Sequence, residues 1–364
     1  MTSLEQLQSS SPRIAAESEG IGIDELRLAG RNHALPLEAL RYDVTPAGLH
    51  YLLIHYDIPY VEQESFRLRV EGSTSLELDL AELRARPRVT LPVTFECAGN
   101  GRARMAPRPV SQPWLDEAVG TGEWTGTPLA PLLREAGIPE SGREVVFTGL
   151  DHGMEFGWEM DYARALPVEE CLREEVLLAY EMNGSPLLPQ HGAPLRLVVP
   201  GWYGMTQVKW LREIRVVDHV FDGFHNAHAY RLKQEATDVG EPVTRIAPRA
   251  LMVPPGFPDF MSRTRVVDRG PQVLTGRAWS GWGPVERVEV SADGGSTWSP
   301  AELDPPVGRW AWRGWRWTWD AEPGTYELCV RAADAAGNEQ PVDAAWNRQG
   351  MSGTSVQRVP VVVR

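Results

Sequence analysis

The sequence predicts an α+β domain followed by an all-β sandwich, and three observations carry that expectation. Strand-like and helix-like segments interleave through residues 21–220 without a regular βαβ rhythm. A polar, irregular stretch over 221–245 reads as a linker. From 246 to 364 the texture changes to short alternating runs cut by turn signals, with nine of the 14 tryptophans between 279 and 346.

Taken in order, residues 1–20 read as a disordered lead. They show neither the basic-then-apolar pattern of a secretion signal nor a twin-arginine pair, so the expected location is the cytoplasm. LHYLLIHYDIPYV (49–61) reads as a strand entering a Pro-terminated loop. Phe66, Leu68 and Val70 alternate with polar residues, as on a half-buried strand. LDLAELRARP (78–87) has helical spacing and ends before Pro87. RVTLPVTFEC (88–97) is a buried strand running into the turn AGNGR. TPLAPLLREAG (127–137) is a short helix with Pro near its start and Gly after its end. EVVFTGLDHG (144–153) and VLLAYEMNGSPL (176–187) are strands, the second leading to an Asn-Gly turn. Residues 193–218 are two strands around a Gly-rich loop. In the sandwich, Val285, Val288 and Val290 precede an Asp-Gly-Gly turn, and Trp310 to Trp319 fall largely on alternate positions. Most of these tryptophans are expected in the sandwich core and a few at a subunit interface.

Composition excludes several classes. The formal charge of −13 disfavours nucleic acid, whose backbone repels an acidic surface. No run of about 18 apolar residues suits a membrane span. Three cysteines, widely spaced and odd in number, make no disulfide scaffold. The absence of a Cys-x-x-Cys pair removes zinc ribbons, iron–sulfur clusters and attached haem.

Cys171 and Cys329 read as ordinary buried cysteines. Cys97 has different neighbours. It ends a strand and opens Cys97-Ala98-Gly99-Asn100-Gly101-Arg102-Ala103-Arg104. Small residues let a bulky group approach the backbone, and Arg102 and Arg104 should favour the thiolate. A thiolate there could bind a soft transition metal or act as a nucleophile. In the later run, His191, Arg196 and Lys209 supply donors and positive charge suited to an anionic group.

FECAGNGR resembles the metal-ligating loop of the sulfite oxidase family of molybdenum enzymes. LLAYEMNGSPLLPQHGAPLRLVVPGWYGMTQVKWL (177–211) resembles that family's cofactor-binding stretch. AWSGWGPVERVEVSADGGSTW (278–298) resembles its C-terminal dimerisation domain, an immunoglobulin-like sandwich. The resemblance implies that Cys97 is the protein's only ligand to molybdenum. It implies that molybdopterin is held by His191, Arg196, Gly204, Thr206, Gln207 and Lys209, with Asp151. The family's Arg-Asn-His corresponds to His55-Tyr56-Asp57, which places those three beside the cofactor; the literal Arg31-Asn32-His33 is spaced too far from Cys97 and reads as a decoy. A homodimer and a separate electron acceptor are also implied.

The expected substrate pocket departs from the family pattern. Cys97, Arg102 and His55 carry the implied catalytic roles, and Arg108, Trp114, Phe156, Arg348 and Gln349 complete the pocket. His55 replaces an arginine, Phe156 aligns with the active-site tyrosine, and Gln349 aligns with a second arginine. Glutamine lacks the charge and phenylalanine cannot donate a hydrogen bond. The function implied is oxidation of sulfite to sulfate. The alternatives are another S- or N-oxygenated substrate on the same fold, acted on as oxidase or reductase, and an inactive cofactor carrier.

Overall fold

A computed structural model of the chain describes residues 13–364. The first half is built on two five-stranded sheets. In one, Val89–Glu96 pairs antiparallel with Val119–Pro128, which pairs with Leu177–Met182; Ser185–Pro186 and Arg196–Val198 both add to that last strand. In the other, the order is Ser75–Leu78, Leu68–Glu71, Leu211–Val217, Glu144–Glu155, Trp158–Pro167. Its only parallel pairing joins Leu211–Val217 to Leu68–Glu71. Between the sheets lies a core of Leu68, Val70, Phe147, Leu178, Leu197 and Ile214, covered by the helix Leu129–Ala136.

Helices are minor. The longest α-helix among the described residues has eight residues, so the half expected to be α+β is mainly β. Both expected helices form, as Leu80–Ala85 and Leu129–Ala136. The first starts at a capping box: Asp79 accepts the Glu82 N–H at 2.8 Å and Glu82 accepts the Asp79 N–H at 2.9 Å. The Asn183-Gly184 turn takes positive φ at both residues, 52° and 74°, as a tight hairpin requires.

The expected strand over 49–61 does not form. Only Leu52 makes a bridge, to His33. The remaining polar groups go elsewhere: the Leu53 carbonyl to Lys209 and the Ile54 N–H to Asn32. Without a strand neighbour this segment becomes an irregular wall, and it lines the site.

The second half holds a four-stranded sheet, Arg249–Met252, Gly270–Trp279, Arg313–Ala321 and Glu302–Leu303, facing a six-stranded one. Leu274, Val288, Val290, Trp315, Leu328 and Val361 are buried between them. The tryptophans divide differently from expectation. Trp315 and Trp319 fill the sandwich, whereas Trp279 and Trp312 pack with Leu35, Ala98, Tyr203 and Met351 where the sandwich meets the first half. There Arg249, fully buried, pairs with Glu96 at 3.1 Å and Asp116 at 2.8 Å, and Trp279 donates to Glu96 at 2.8 Å.

Two expectations about connecting segments change. Residues 1–12 of the lead lie outside the described residues, but Arg13–Ile14 pairs with Pro109–Val110 and Ala15 is buried. The stretch expected as a linker includes the π-helix His225–Ala229, which packs on Trp158–Pro167 and walls the site.

Candidate active site

Strand Val89–Glu96 delivers Cys97 to the junction of the two halves. The Cys97 N–H donates to Ala118 at 2.9 Å, and the turn closes with Asn100 N–H to the Cys97 carbonyl at 3.0 Å. Asn100 clamps the loop from inside: its Nδ2 donates to Glu96 and to the Asp116 carbonyl, and its Oδ1 accepts from Ala118. Arg102 lies back across the loop. A Cβ on Gly99 would sit 2.6 Å from its Nη2, so only glycine lets the guanidinium lie there. Its Nε donates to the Gln349 carbonyl at 3.2 Å and its Nη1 to the Gln112 carbonyl at 3.1 Å. Two anchored nitrogens fix where the third points.

The expectation that arginines lower the Cys97 pKa is not met in sum. Burial pushes the thiol above its usual value and outweighs Arg102, the Gly99 backbone and Trp114, which pull it down. Arg104 is turned away into an ion pair with Asp116 at 2.6 Å. Desolvation therefore wins until a bound cation stabilises the thiolate.

Cys97 borders two cavities, which also share Leu53, His55 and Tyr230. The inner one is lined by Asp151, His191, Arg196, Gly204, Gln207 and Lys209. It gathers buried cations with few anions. Arg196 is wedged over Trp124 and Phe95, with centroids 4.7 and 5.0 Å from its guanidinium carbon, and burial lowers its pKa to about 10. Burial, then Arg196, brings Lys209 down to about 7, while Asp151 opposes. Burial raises Asp151 to about 6, and burial with His50 lowers His191 to about 3. Lys209 donates only to the carbonyls of Leu53 and Gln190.

Several polar atoms lining this cavity are buried without a partner: Arg196 Nε, Asp151 Oδ1 and His50 Nε2. Orphans of that kind call for a ligand, since buried polar groups are otherwise paired. Gly204 keeps the cradle open, because a Cβ there would meet the Tyr51 hydroxyl at 2.4 Å. An anionic, multiply hydrogen-bonding group with a soft metal centre fits this donor set. Arg196, Lys209 and His191 would hold it, with Cys97 as the thiolate.

The outer cavity has a volume of about 530 Å³. Among the described residues its wall carries Arg102, Lys233 and Arg348 as cations and Glu155 as its one carboxylate. Phe156, Trp158, Phe224 and His228 form an aromatic mouth, with the Phe156–Phe224 and Trp158–Phe224 centroids 5.8 and 6.1 Å apart. Arg348 Nε is buried with no partner.

Most of the expected site residues converge on these cavities; four do not act as expected. Arg108 pairs with buried Glu25 and donates to the Gly20 carbonyl, facing the N-terminal segment. Asp57 is exposed and accepts from Arg31 at 3.1 Å, outside both cavities. The Gln207 amide is spent on its own loop, accepting from Val199 and donating to the Val199 and Trp202 carbonyls. Thr206 is buried behind the cradle and does not line it. Tyr56, Trp114, Phe156, Arg348 and Gln349 line the outer cavity. Arg31-Asn32-His33, read as a decoy, packs beside the 52–57 segment, and Asn32 lines that cavity.

Sequence reading missed Tyr230, Glu155, His225 and Lys233. Position 156, where the resemblance places a tyrosine, holds Phe156, and a phenol not foreseen, Tyr230, touches both cavities. The signal was present in FDGFHNAHAY (221–230), where two phenylalanines before Tyr230 and two histidines crowd a stretch too rich in chemistry for a linker.

Comparison with known proteins agrees with this geometry. Residues 55–225 match the model of the oxidoreductase molybdopterin binding domain, and 258–364 that of the Mo-co oxidoreductase dimerisation domain. The chain is 38% identical over 335 residues to the sulfite oxidase of Gallus gallus, covering 86% of this chain and 72% of that protein. It is 35% identical to the mitochondrial sulfite oxidase of Homo sapiens, spanning 88% of this chain and 62% of that one. Against a nitrate reductase [NADH] of Phaseolus vulgaris identity is 30%, over 92% of this chain and 42% of that protein. The sulfane dehydrogenase SoxCD structure from Paracoccus pantotrophus shares the fold, with a TM-score of 0.78 at 24% identity, covering 96% of this chain and 92% of that one. With the thiolate loop, the cationic cradle and both domain matches in one order, the chain belongs to the sulfite oxidase family and is a molybdopterin-dependent oxidoreductase.

Proposed function

We propose that the protein oxidises sulfite to sulfate, passing the electrons to a separate acceptor. The observation that carries this is the placement of Arg102, Arg348 and Lys233 around one cavity with Cys97 on its border. The cofactor, when bound, supplies the two-electron centre and the route by which an oxygen atom is exchanged. Around it the chain's own residues position the substrate. Arg102 is locked by two carbonyls, so its free nitrogen presents a fixed donor to an oxyanion. Arg348, with Nε unpartnered, offers a second. Gln349 donates its Nε2 to the His228 carbonyl at 3.1 Å, which holds the aromatic mouth in place instead of binding the anion. Becoming sulfate takes one oxygen from water and releases two protons and two electrons.

A second reading, a bulkier S- or N-oxygenated substrate, is favoured by the aromatic mouth and by Glu155, whose carboxylate engages His55 at 3.0 Å. Under either reading the protein works as a homodimer through the sandwich, read as immunoglobulin-like, and resides in the cytoplasm. No helix among the described residues is long and apolar enough to cross a membrane.

The deciding assay is steady-state reduction of ferricyanide by purified, molybdenum-loaded protein. Saturable turnover with sulfite is expected. Silence at millimolar sulfite, with turnover of sulfoxides or N-oxides by reduced viologen, would replace the first reading with the second.

A further inference from the structure

At the outer cavity three side chains of ligand type meet: His55 and Glu155 on its wall, and buried His225 beside them. One donor atom from each lies within 4.8 Å of the other two. His55 Nε2 and Glu155 Oε2 are already 3.0 Å apart, and the two imidazole centroids stand 5.3 Å apart. They come from separate segments: the irregular wall after Leu53, the end of strand Glu144–Glu155, and the start of the π-helix His225–Ala229. No local sequence motif draws them together.

We propose that His55, Glu155 and His225 form a binding site for a divalent transition-metal cation of the zinc class, separate from the molybdenum held by Cys97. Two imidazoles and one carboxylate are a zinc-type donor set, and three protein ligands leave a fourth position open. Metal–ligand bonds of about 2.0–2.2 Å would set the donors about 3.3 Å from one another, close to the 3.0 Å of the His55–Glu155 pair. His225, whose donor lies within 4.8 Å of the other two, would close by up to about 1.5 Å. The Tyr56 hydroxyl lies 3.2 Å from its Nε2 and orients the ring, as outer-sphere partners orient metal-binding histidines. Burial keeps this imidazole neutral, pushing its pKa down to about 2, so the Nε2 lone pair is available. A cation would replace the Tyr56 proton on that lone pair.

The open position faces the cavity, because His55, Tyr56 and Glu155 all line it. A dication with one carboxylate and two neutral imidazoles carries a net charge of +1. The wall would then present a Lewis-acidic cation where the bare residues present a carboxylate hydrogen-bonded to a histidine. A substrate oxyanion or a water could complete the coordination.

The test is metal uptake by the molybdenum-loaded protein, read independently of which substrate it turns over. After chelation and desalting, equilibrium dialysis against Zn²⁺ and elemental analysis should find one zinc per chain beyond molybdenum. Co²⁺ in its place should give the visible ligand-field bands of a low-coordinate nitrogen/oxygen site. Glu155→Gln and His225→Gln should each weaken uptake by roughly 100-fold or more, whereas His152→Asn, in an exposed His–Asp–Glu cluster, should leave it unchanged. If His225→Gln fails to fold, Glu155→Gln, at a half-exposed hairpin end, decides alone. No zinc retained by the unaltered protein, or equal uptake by Glu155→Gln, would overturn the site.

Discussion

Asp151 and Lys209 show how single residues reveal a missing ligand. Each is pushed toward its neutral form by burial, and each pulls the other back only in part. Asp151 is raised from 3.8 to about 6. A raised carboxyl destabilises the fold above its unfolded pKa, and the penalty is complete once pH exceeds the folded value. In cofactor-free protein at pH 8, Asp151→Asn should therefore stabilise by about 3 kcal/mol, at ~1.36 kcal/mol per unit. At pH 4.5 the gain should shrink to about 1 kcal/mol. Thermal denaturation at the two pH values checks both numbers. Destabilisation at pH 8 would mean that attraction to Lys209 and His55 outweighs desolvation.

At the scale of elements, the hairpin joining Glu144–Glu155 to Trp158–Pro167 is the informative one. Glu155 pairs with Trp158, leaving Phe156 and Gly157 as a two-residue turn with φ of 53° and 80°. Glycine takes that conformation freely; a phenylalanine there costs about 1–2 kcal/mol. Strain of this kind persists where a side chain is needed, and Phe156 packs at a tilt against Phe224 at the cavity mouth. Phe156→Asn should raise stability by about 1 kcal/mol, since Asn tolerates the turn. It should also raise KM while changing kcat little, because the mouth touches bound substrate and not the reacting atoms. Denaturation and steady-state kinetics read the two effects separately, and an unchanged KM would remove the mouth from substrate binding.

The same scale explains what the sequence made legible. The Cys97 loop, the Asn183-Gly184 hairpin and the helices at 80–85 and 129–136 were readable because each is specified by neighbours in the chain: a cap, a turn pair, a periodic apolar face. The 49–61 segment looked like a strand because its composition is that of one, yet the polar groups that pair with it come from Asn32 and Lys209, far away in sequence. Tyr230, Glu155 and His225 were missed for the same reason. Only the fold brings them to Cys97. Arg108 was expected in the pocket, and the N-terminal segment that claims it could not be foreseen from charge.

Across the whole molecule, the junction between the sandwich and the first half determines the site. Arg249, from the sandwich, bridges Glu96 and Asp116, while Trp279 donates to Glu96, the residue immediately before Cys97. Gln349, Arg348 and Met351 come from the far end of the chain to close the outer cavity, and the Gln349 carbonyl holds Arg102. The position of the sulfur thus depends on both halves. Its role as the protein's ligand to molybdenum is the claim on which the mechanism rests. Molybdenum-edge X-ray absorption of the purified holoenzyme, beside Cys97→Ala, tests it most directly. The account predicts one more sulfur bound to molybdenum in the unaltered protein than in the variant, with turnover lost in the variant. The same number of sulfurs in both, or activity retained without Cys97, would contradict it.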